Sequence, residues 1–256
     1  MAEGRVRPSA EDIYESVKRD AHEELERPVP ALAVSALFAG ATLGFSGLAS
    51  AAVLSELDAS TSAHLVAAAF YPIGFIAAIV GRAQLFTENT LYPMTLVFDE
   101  RRHVGVTARL WSVVWAANIL GAFLFALLVV QSSALTPSIV HELSKLGHDA
   151  ADGGFQPNFW SGVLAGWLLA LVAWLIEATD HATGQIALIW LLTFVIGLAS
   201  LDHCVSTTGQ VLAGVVDGSV PFGRFAGWLA AVTLGNIVGG TAIVGLANYG
   251  QVRVGE

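Results

Sequence analysis

Cysteine is nearly absent from this chain, where Cys204 stands alone. A single thiol excludes an internal disulfide and any multi-thiolate metal site, and neither a metal nor a cofactor is expected. Charge is also scarce, at 13% of 256 residues against 55% hydrophobic ones. A soluble domain needs roughly a quarter of its residues charged to cover its surface, so an ordinary soluble fold is excluded. The 12 basic residues form no polybasic or aromatic-interleaved patch, which argues against a nucleic-acid partner. The first 28 residues contain no apolar core, so no cleaved signal peptide is expected and the first span stays in the membrane.

What the chain does have is apolar length, with a mean hydropathy of +0.65. Crossing about 30 Å of hydrocarbon takes about 20 helical residues. Spans are expected at about 30–54, 62–98, 105–132, 158–178, 184–217 and 223–248. Ahead of them, residues 9–26 read as an amphipathic surface helix, with Ile13, Val17 and Ala21 at helical spacing and Ser9 and Asp12 as its cap. Pro28 and Pro30 should end it. Connections are short and polar except 133–157, which holds Lys145 and several acids.

Basic residues orient the spans. Arg5, Arg7, Lys18, Arg19, Arg27, Arg101, Arg102, Arg109 and Arg253 fall on one side, and Lys145 and Arg224 on the other. Both termini are therefore expected in the cytoplasm. The expected division is a tail at 1–28 carrying the surface helix, a membrane domain at 29–250 and a short tail at 251–256.

The second and fifth spans are too long and too polar to be plain helices. "GRAQLFTENT" (81–90) puts Arg82, Gln84, Glu88 and Asn89 inside one, and "GLASLDHCVSTTG" (197–209) puts Asp202 and His203 inside the other. The third and sixth spans echo each other: Trp111 leads to Asn118-Ile119-Leu120-Gly121, and Trp228 to Asn236-Ile237-Val238-Gly239. The chain thus reads as two three-span repeats, each plain, broken, plain, and an odd repeat must invert. Irregular backbone at membrane depth survives only when buried in protein or lining a polar cavity. Two such breaks would meet near the midplane and build a translocation site there.

At "AQLFTENTL" (83–91), "SLDHCVSTT" (200–208) and "LGNIVGG" (234–240) the chain resembles the formate/nitrite transporter family along nearly its whole length. The resemblance implies an aquaporin-like bundle assembled as a homopentamer in a bacterial or archaeal cytoplasmic membrane. Each protomer would pass formate, nitrite, hydrosulfide or their conjugate acids. By motif, Leu85, Phe86 and Thr87 form the loop breaking the second span, and His203 is the central pore histidine bonded to Thr87, beside Asp202. Phe75 and Leu169 would narrow the pore on the cytoplasmic side, and Tyr71 and Ile196 on the outer side. The chain also departs from the family: no lysine stands near Ala150, Gly166 replaces the fourth-span asparagine, and Gln84 replaces an acid.

Other readings weigh less. Thr87 could simply cap a half-helix, and Asn118 and Asn236 read as interhelical glue before pore lining. Ser46 in "GFSG" with His203 could suggest an intramembrane protease, but no GxSxG motif is completed. A water or glycerol channel would carry Asn-Pro, which this chain lacks. A proton-coupled carrier of short-chain carboxylates stays open. Arg82, read at span centre, would cost about 2.5–3.5 kcal/mol and is expected to pair with Glu88 or Asp202, or to replace the missing lysine as an anion attractor.

Overall fold

Helix α1 (Ala10–Glu26) opens with a reciprocal cap. The Ser9 hydroxyl accepts from the Asp12 N–H at 3.1 Å, and the Asp12 carboxylate accepts from the Ser9 N–H at 2.9 Å. Its apolar stripe of Ile13, Tyr14, Val17, Ala21 and Leu25 is buried. In this computed structural model, which describes residues 8–57, 60–100 and 103–253, that stripe lies on the helix Tyr92–Glu100. Polar ties fix it further: Lys18 Nζ to Asp99 at 2.6 Å, and Arg109 Nη2 to the Leu25 carbonyl at 2.7 Å. Pro28 and Pro30 stop α1, and they also open α2 (Val29–Glu56), since a missing N–H costs nothing in a first turn.

The chain continues through α3 (Thr61–Phe70), α4 (Ile73–Val80), a single 3₁₀ turn at Glu88–Thr90, α5 (Tyr92–Glu100) and α6 (Val104–Gln131). The second half runs α7 (Pro137–Ala151), α8 (Phe155–Ile176), α9 (Ala182–Leu198), α10 (Ser206–Asp217) and α11 (Phe222–Ile237). A π-helical segment, Val238–Gly245, then leads into α12 (Leu246–Arg253). Among the described residues five helical stretches are long and apolar enough to cross a membrane, and α9 is a shorter apolar helix. Exposed Val34, Phe38, Phe45, Leu128, Trp160 and Leu191 give the bundle an apolar exterior.

Segment 133–157, the exception among the connections, is largely helical. Most of it is α7, which buries Leu143, Ser144, Gly147 and Ala151. A Cβ on Gly147 would fall 2.1 Å from the Gln210 carbonyl, so α7 lies directly on α10. It does for α10 what α1 does for α5. Each half is therefore surface helix, plain helix, broken helix, plain helix.

Backbone contact locks each half. A Cβ on Gly121 would sit 2.1 Å from the Leu37 carbonyl, and one on Gly239 would sit 2.1 Å from the Val163 carbonyl. Small residues let helices approach this closely where no hydrophobic force drives them together.

Candidate pore at the two helix breaks

Both broken helices end alike. Past α4, Arg82 takes a left-handed φ of 55° and the Ala83 N–H reaches back to the Ala78 carbonyl at 2.9 Å. Past α9, Ser200 takes a φ of 49° and the Leu201 N–H reaches the Ile196 carbonyl at 2.9 Å. This is the six-to-one closure that commonly ends helices, here built without glycine.

The loops beyond carry backbone groups that no helix satisfies, and paired side chains serve them. Ser35 Oγ accepts from the Gln84 N–H at 3.1 Å, and Ser161 Oγ accepts from the Asp202 N–H at 2.8 Å. Asn118 Oδ1 accepts from the Phe86 N–H at 2.9 Å while its Nδ2 donates to the carbonyls of Ala36 at 2.7 Å and Gln84 at 2.9 Å. Asn236 Oδ1 accepts from the Cys204 N–H at 2.9 Å while its Nδ2 donates to the carbonyls of Gly162 at 2.7 Å and Asp202 at 3.4 Å. Both asparagines thus staple a loop to a neighbouring helix. Indoles add to this: Trp111 Nε1 donates to the Asn89 carbonyl at 2.6 Å, and Trp228 Nε1 to Asp202 Oδ1 at 3.3 Å.

The same geometry explains Gly166. A Cβ there would stand 2.4 Å from the Asn236 carbonyl oxygen, and one on Gly40 would stand 2.0 Å from that of Asn118. No asparagine side chain fits at 166 while Asn236 keeps its post.

At the tips the repeats differ. His203 Nδ1 accepts from the N–H groups of Ser206 at 3.1 Å and Val205 at 3.3 Å, so the ring sits at the start of α10. Two donors on Nδ1 put the ring proton on Nε2, which lies 2.8 Å from Thr87 Oγ1. The imidazole therefore donates and the threonine oxygen accepts. Phe75 meets the ring edge-on at 5.1 Å, and Tyr71 lies 5.7 Å beyond Phe75 with its hydroxyl 2.7 Å from Ser206 Oγ.

Two cavities flank this cluster. One of about 370 Å³ lies on the α1 side, between Leu85, Gln84, Glu88, Asn89, Arg82 and Tyr92 and the α1 residues Asp20, Glu23, Glu24 and Arg27. The other, about 380 Å³, lies on the α7 side and reaches Tyr71, Ile196, Asp202, Thr207, His64, Asp149 and Ala150. Thr87, His203 and Phe75 line neither and are wholly buried between them. Burial raises the carboxyls of Glu24 on α1 and Glu177 at the end of α8 above the ordinary carboxylate range; Arg27 opposes this at Glu24 and a 2.8 Å bond from Ser16 at Glu177.

Several expected placements change. Arg82 is not at span centre: its side chain is 77% exposed, and its Nη1 lies 3.7 Å from Asp20 on α1, not beside Glu88 or Asp202. The reason is length, because α3 and α4 together run 20 residues and carry Arg82 out to the α1 face. Leu169, like Phe75, is buried and lines neither cavity, and Ile79, Leu85 and Ile176 line the α1 side. Phe75 packs edge-on against the His203 ring. Tyr71 and Ile196 border the α7-side cavity, and Phe86 packs against Trp111 at 5.9 Å. Sequence reading missed Ser35, Ser161 and Ser206, whose only signal is small polar residues facing a break.

Two inverted halves, breaks stapled toward each other and a buried polar contact between two cavities define a membrane protein of the channel or transporter class. The chain belongs to the formate/nitrite transporter family, whose model matches residues 11–250. It is 34% identical over 254 residues to the inner membrane protein YfdC of Escherichia coli (strain K12), covering 98% of this chain and 81% of that one. It is 29% identical over 238 residues to a probable formate transporter of Methanothermobacter thermautotrophicus, covering 85% and 87%. Its fold matches an FNT family ion channel at a TM-score of 0.84 and 21% identity, over 93% of this chain and 98% of that one. It also matches a pentameric formate channel with formate bound, at 0.70 and 18%, over 91% and 97%.

Proposed function

We propose that the chain passes small monovalent acids of the formate, nitrite and hydrosulfide class across the membrane, in the form that carries no charge at the narrowest point. The single observation behind this reading is the partition. Among the described residues, the polar side-chain contact joining its two loops is the Thr87–His203 hydrogen bond, flanked by Phe75. Because Thr87 accepts from the ring, its own hydroxyl proton is left to donate to a passing oxygen. A dry apolar surround makes a bare anion costly there. Neither cavity favours anions: Asp149 and Asp202 border the α7 side without Lys or Arg, and four carboxylates outnumber two arginines on the α1 side.

The reading includes five copies per assembly, each with its own path, and no covalent chemistry. Residues 29–250 form the membrane domain, and α1 with both tails faces the cytoplasm. That orientation is supported by Lys18, Arg19, Arg27, Arg82 and Arg109 on the α1 face, against Lys145 and Arg224 on the α7 face; Arg5, Arg7, Arg101 and Arg102 lie outside the described residues. Flux of formate, nitrite, hydrosulfide and acetate into proteoliposomes, with and without a proton gradient, tests it. Formate-class flux that rises with the undissociated fraction is expected. Flux that tracks the anion at every pH would overturn it, and strict dependence on an imposed proton gradient with acetate preferred would favour a carrier of short-chain carboxylates.

A further inference from the structure

The π-helical segment Val238–Gly245 has no counterpart in the first half, where α6 runs unbroken from Val104 to Gln131. Wide turns of this kind cost backbone bonding and recur at functional sites. Here the segment touches the first break, not its own. Thr241 Oγ1 donates to the Thr90 carbonyl at 3.0 Å, and Thr90 Oγ1 donates to the Thr87 carbonyl at 2.7 Å. A Cβ on Gly240 would stand 2.0 Å from Thr90 Oγ1, so the segment presses on Thr90 as well as bonding to it.

The second break is held differently: among the described residues no side chain of α6 bonds to its backbone, and the first half reaches it through the Tyr71 hydroxyl, 2.7 Å from Ser206 Oγ. Thr208, the counterpart of Thr90, donates one residue further back, from Oγ1 to the Cys204 carbonyl at 2.7 Å. The residue of α6 that occupies the position of Thr241 in the repeat is Phe123, which is exposed. The second half thus grips the backbone of the turn that begins at Thr87, and the first half offers no matching bond from α6.

We infer that Thr241 is a positioning residue for transport: through Thr90 it sets the height at which Thr87 meets His203, and so the size and basicity of the acid that crosses. Thr241 touches no solute itself. A π segment also has a nearby alternative, since relaxing to an α-helix would turn Thr241 away from the Thr90 carbonyl and release the turn.

The inference rests on the assignment of Thr87 and His203 to the crossing, and one set of variants separates the two. The readout is the formate-to-acetate flux ratio and its pH profile in proteoliposomes, for protein shown to assemble like the parent. Thr241→Val keeps the shape and loses the donor. It should move the ratio about fivefold, the worth of one buried hydrogen bond, in the direction taken by Thr87→Val. Thr241→Ser should restore the parent ratio, and Thr87→Val with Thr241→Val should move it no further than Thr87→Val alone. An unmoved ratio in Thr241→Val, no restoration by serine, or additive shifts would overturn the inference while Thr87→Val still shows its effect. An unmoved ratio in Thr87→Val itself would overturn the crossing and this inference together. Should Thr241→Val fail to assemble, Thr90→Val cuts the middle link and must give the same shift; an unmoved ratio there overturns the inference.

Discussion

The break between α4 and α5 and the break between α9 and α10 match bond for bond until their tips, and there they part. Each has a left-handed residue, a six-to-one closure, a serine on the loop's first free N–H and an asparagine spanning loop and helix. Between the matched bonds stands Leu85 in one loop and His203 in the other. The scaffold is what both halves need in order to keep irregular backbone satisfied inside a membrane. On the proposed function, chemistry resides where they differ. His203 satisfies the start of α10 with one nitrogen and offers the other to Thr87; Leu85 only closes the α1-side cavity.

The comparison can be broken most severely at the staples. Asn118→Ala and Asn236→Ala each remove three hydrogen bonds and strand buried backbone groups, so each should cost about 3 kcal/mol or more. Thermal unfolding in mild detergent reads this, and a large loss in one variant with tolerance in the other would end the claim of a shared scaffold. Gly40→Ala and Gly166→Ala come next. Each would push a methyl into a facing carbonyl, at about 1–3 kcal/mol, and Gly166→Asn should be worse than either.

Swaps at the tips sharpen the contrast. Leu85→Met, which conserves volume, should cost less than about 1.5 kcal/mol and leave the pH profile of flux unchanged. Thr87→Val should cost about 1 kcal/mol in stability and change that profile. The smallest effects belong to the helix ends. Arg82→Gly and Ser200→Gly should each stabilise by about 1 kcal/mol or less, since glycine tolerates the left-handed backbone that both residues adopt. Arg82→Gln should shift the melting free energy by under about 1 kcal/mol, because its contact with Asp20 is long and wet.

Acidity should act on α1 with a definite sign. Glu24 and Glu177 hold protons more tightly when α1 is docked than when it is free, both being raised by burial. Their burden on docking is present above the raised values and gone below the ordinary 4.5. Hydrogen exchange along α1 should therefore slow, after correction for intrinsic rates, as pH falls through that window.

The sequence displayed the spans, both breaks and the asparagine echo, because apolar length and polar interruption are local signals. It also pointed to the Thr87–His203 contact through the motif. Helix α7 was not read from the sequence, because Lys145 and several acids mask its apolar stripe, although its buried Leu143 and Gly147 face α10 as α1 faces α5. Arg82 misled because closure without glycine leaves no mark in sequence, so the residue was counted as mid-span when it had reached the surface. Leu169 was placed by likeness alone, since a buried leucine carries no mark of a pore in sequence. The π segment looks like any glycine-rich helix until its contacts with Thr90 are seen.

On the proposed function, Nε2 of His203 decides what crosses, and His203→Asn isolates that atom. Asparagine Oδ1 can take the place of Nδ1 and keep accepting from the Ser206 N–H, so α10 stays capped, while nothing remains to reach Thr87. The measurement is formate flux against pH in proteoliposomes, on protein that assembles and melts like the parent. A flattened pH profile and a changed ranking among formate, nitrite and acetate are predicted. An unchanged profile and ranking in folded His203→Asn would contradict the claim that the second break's tip carries the transport chemistry.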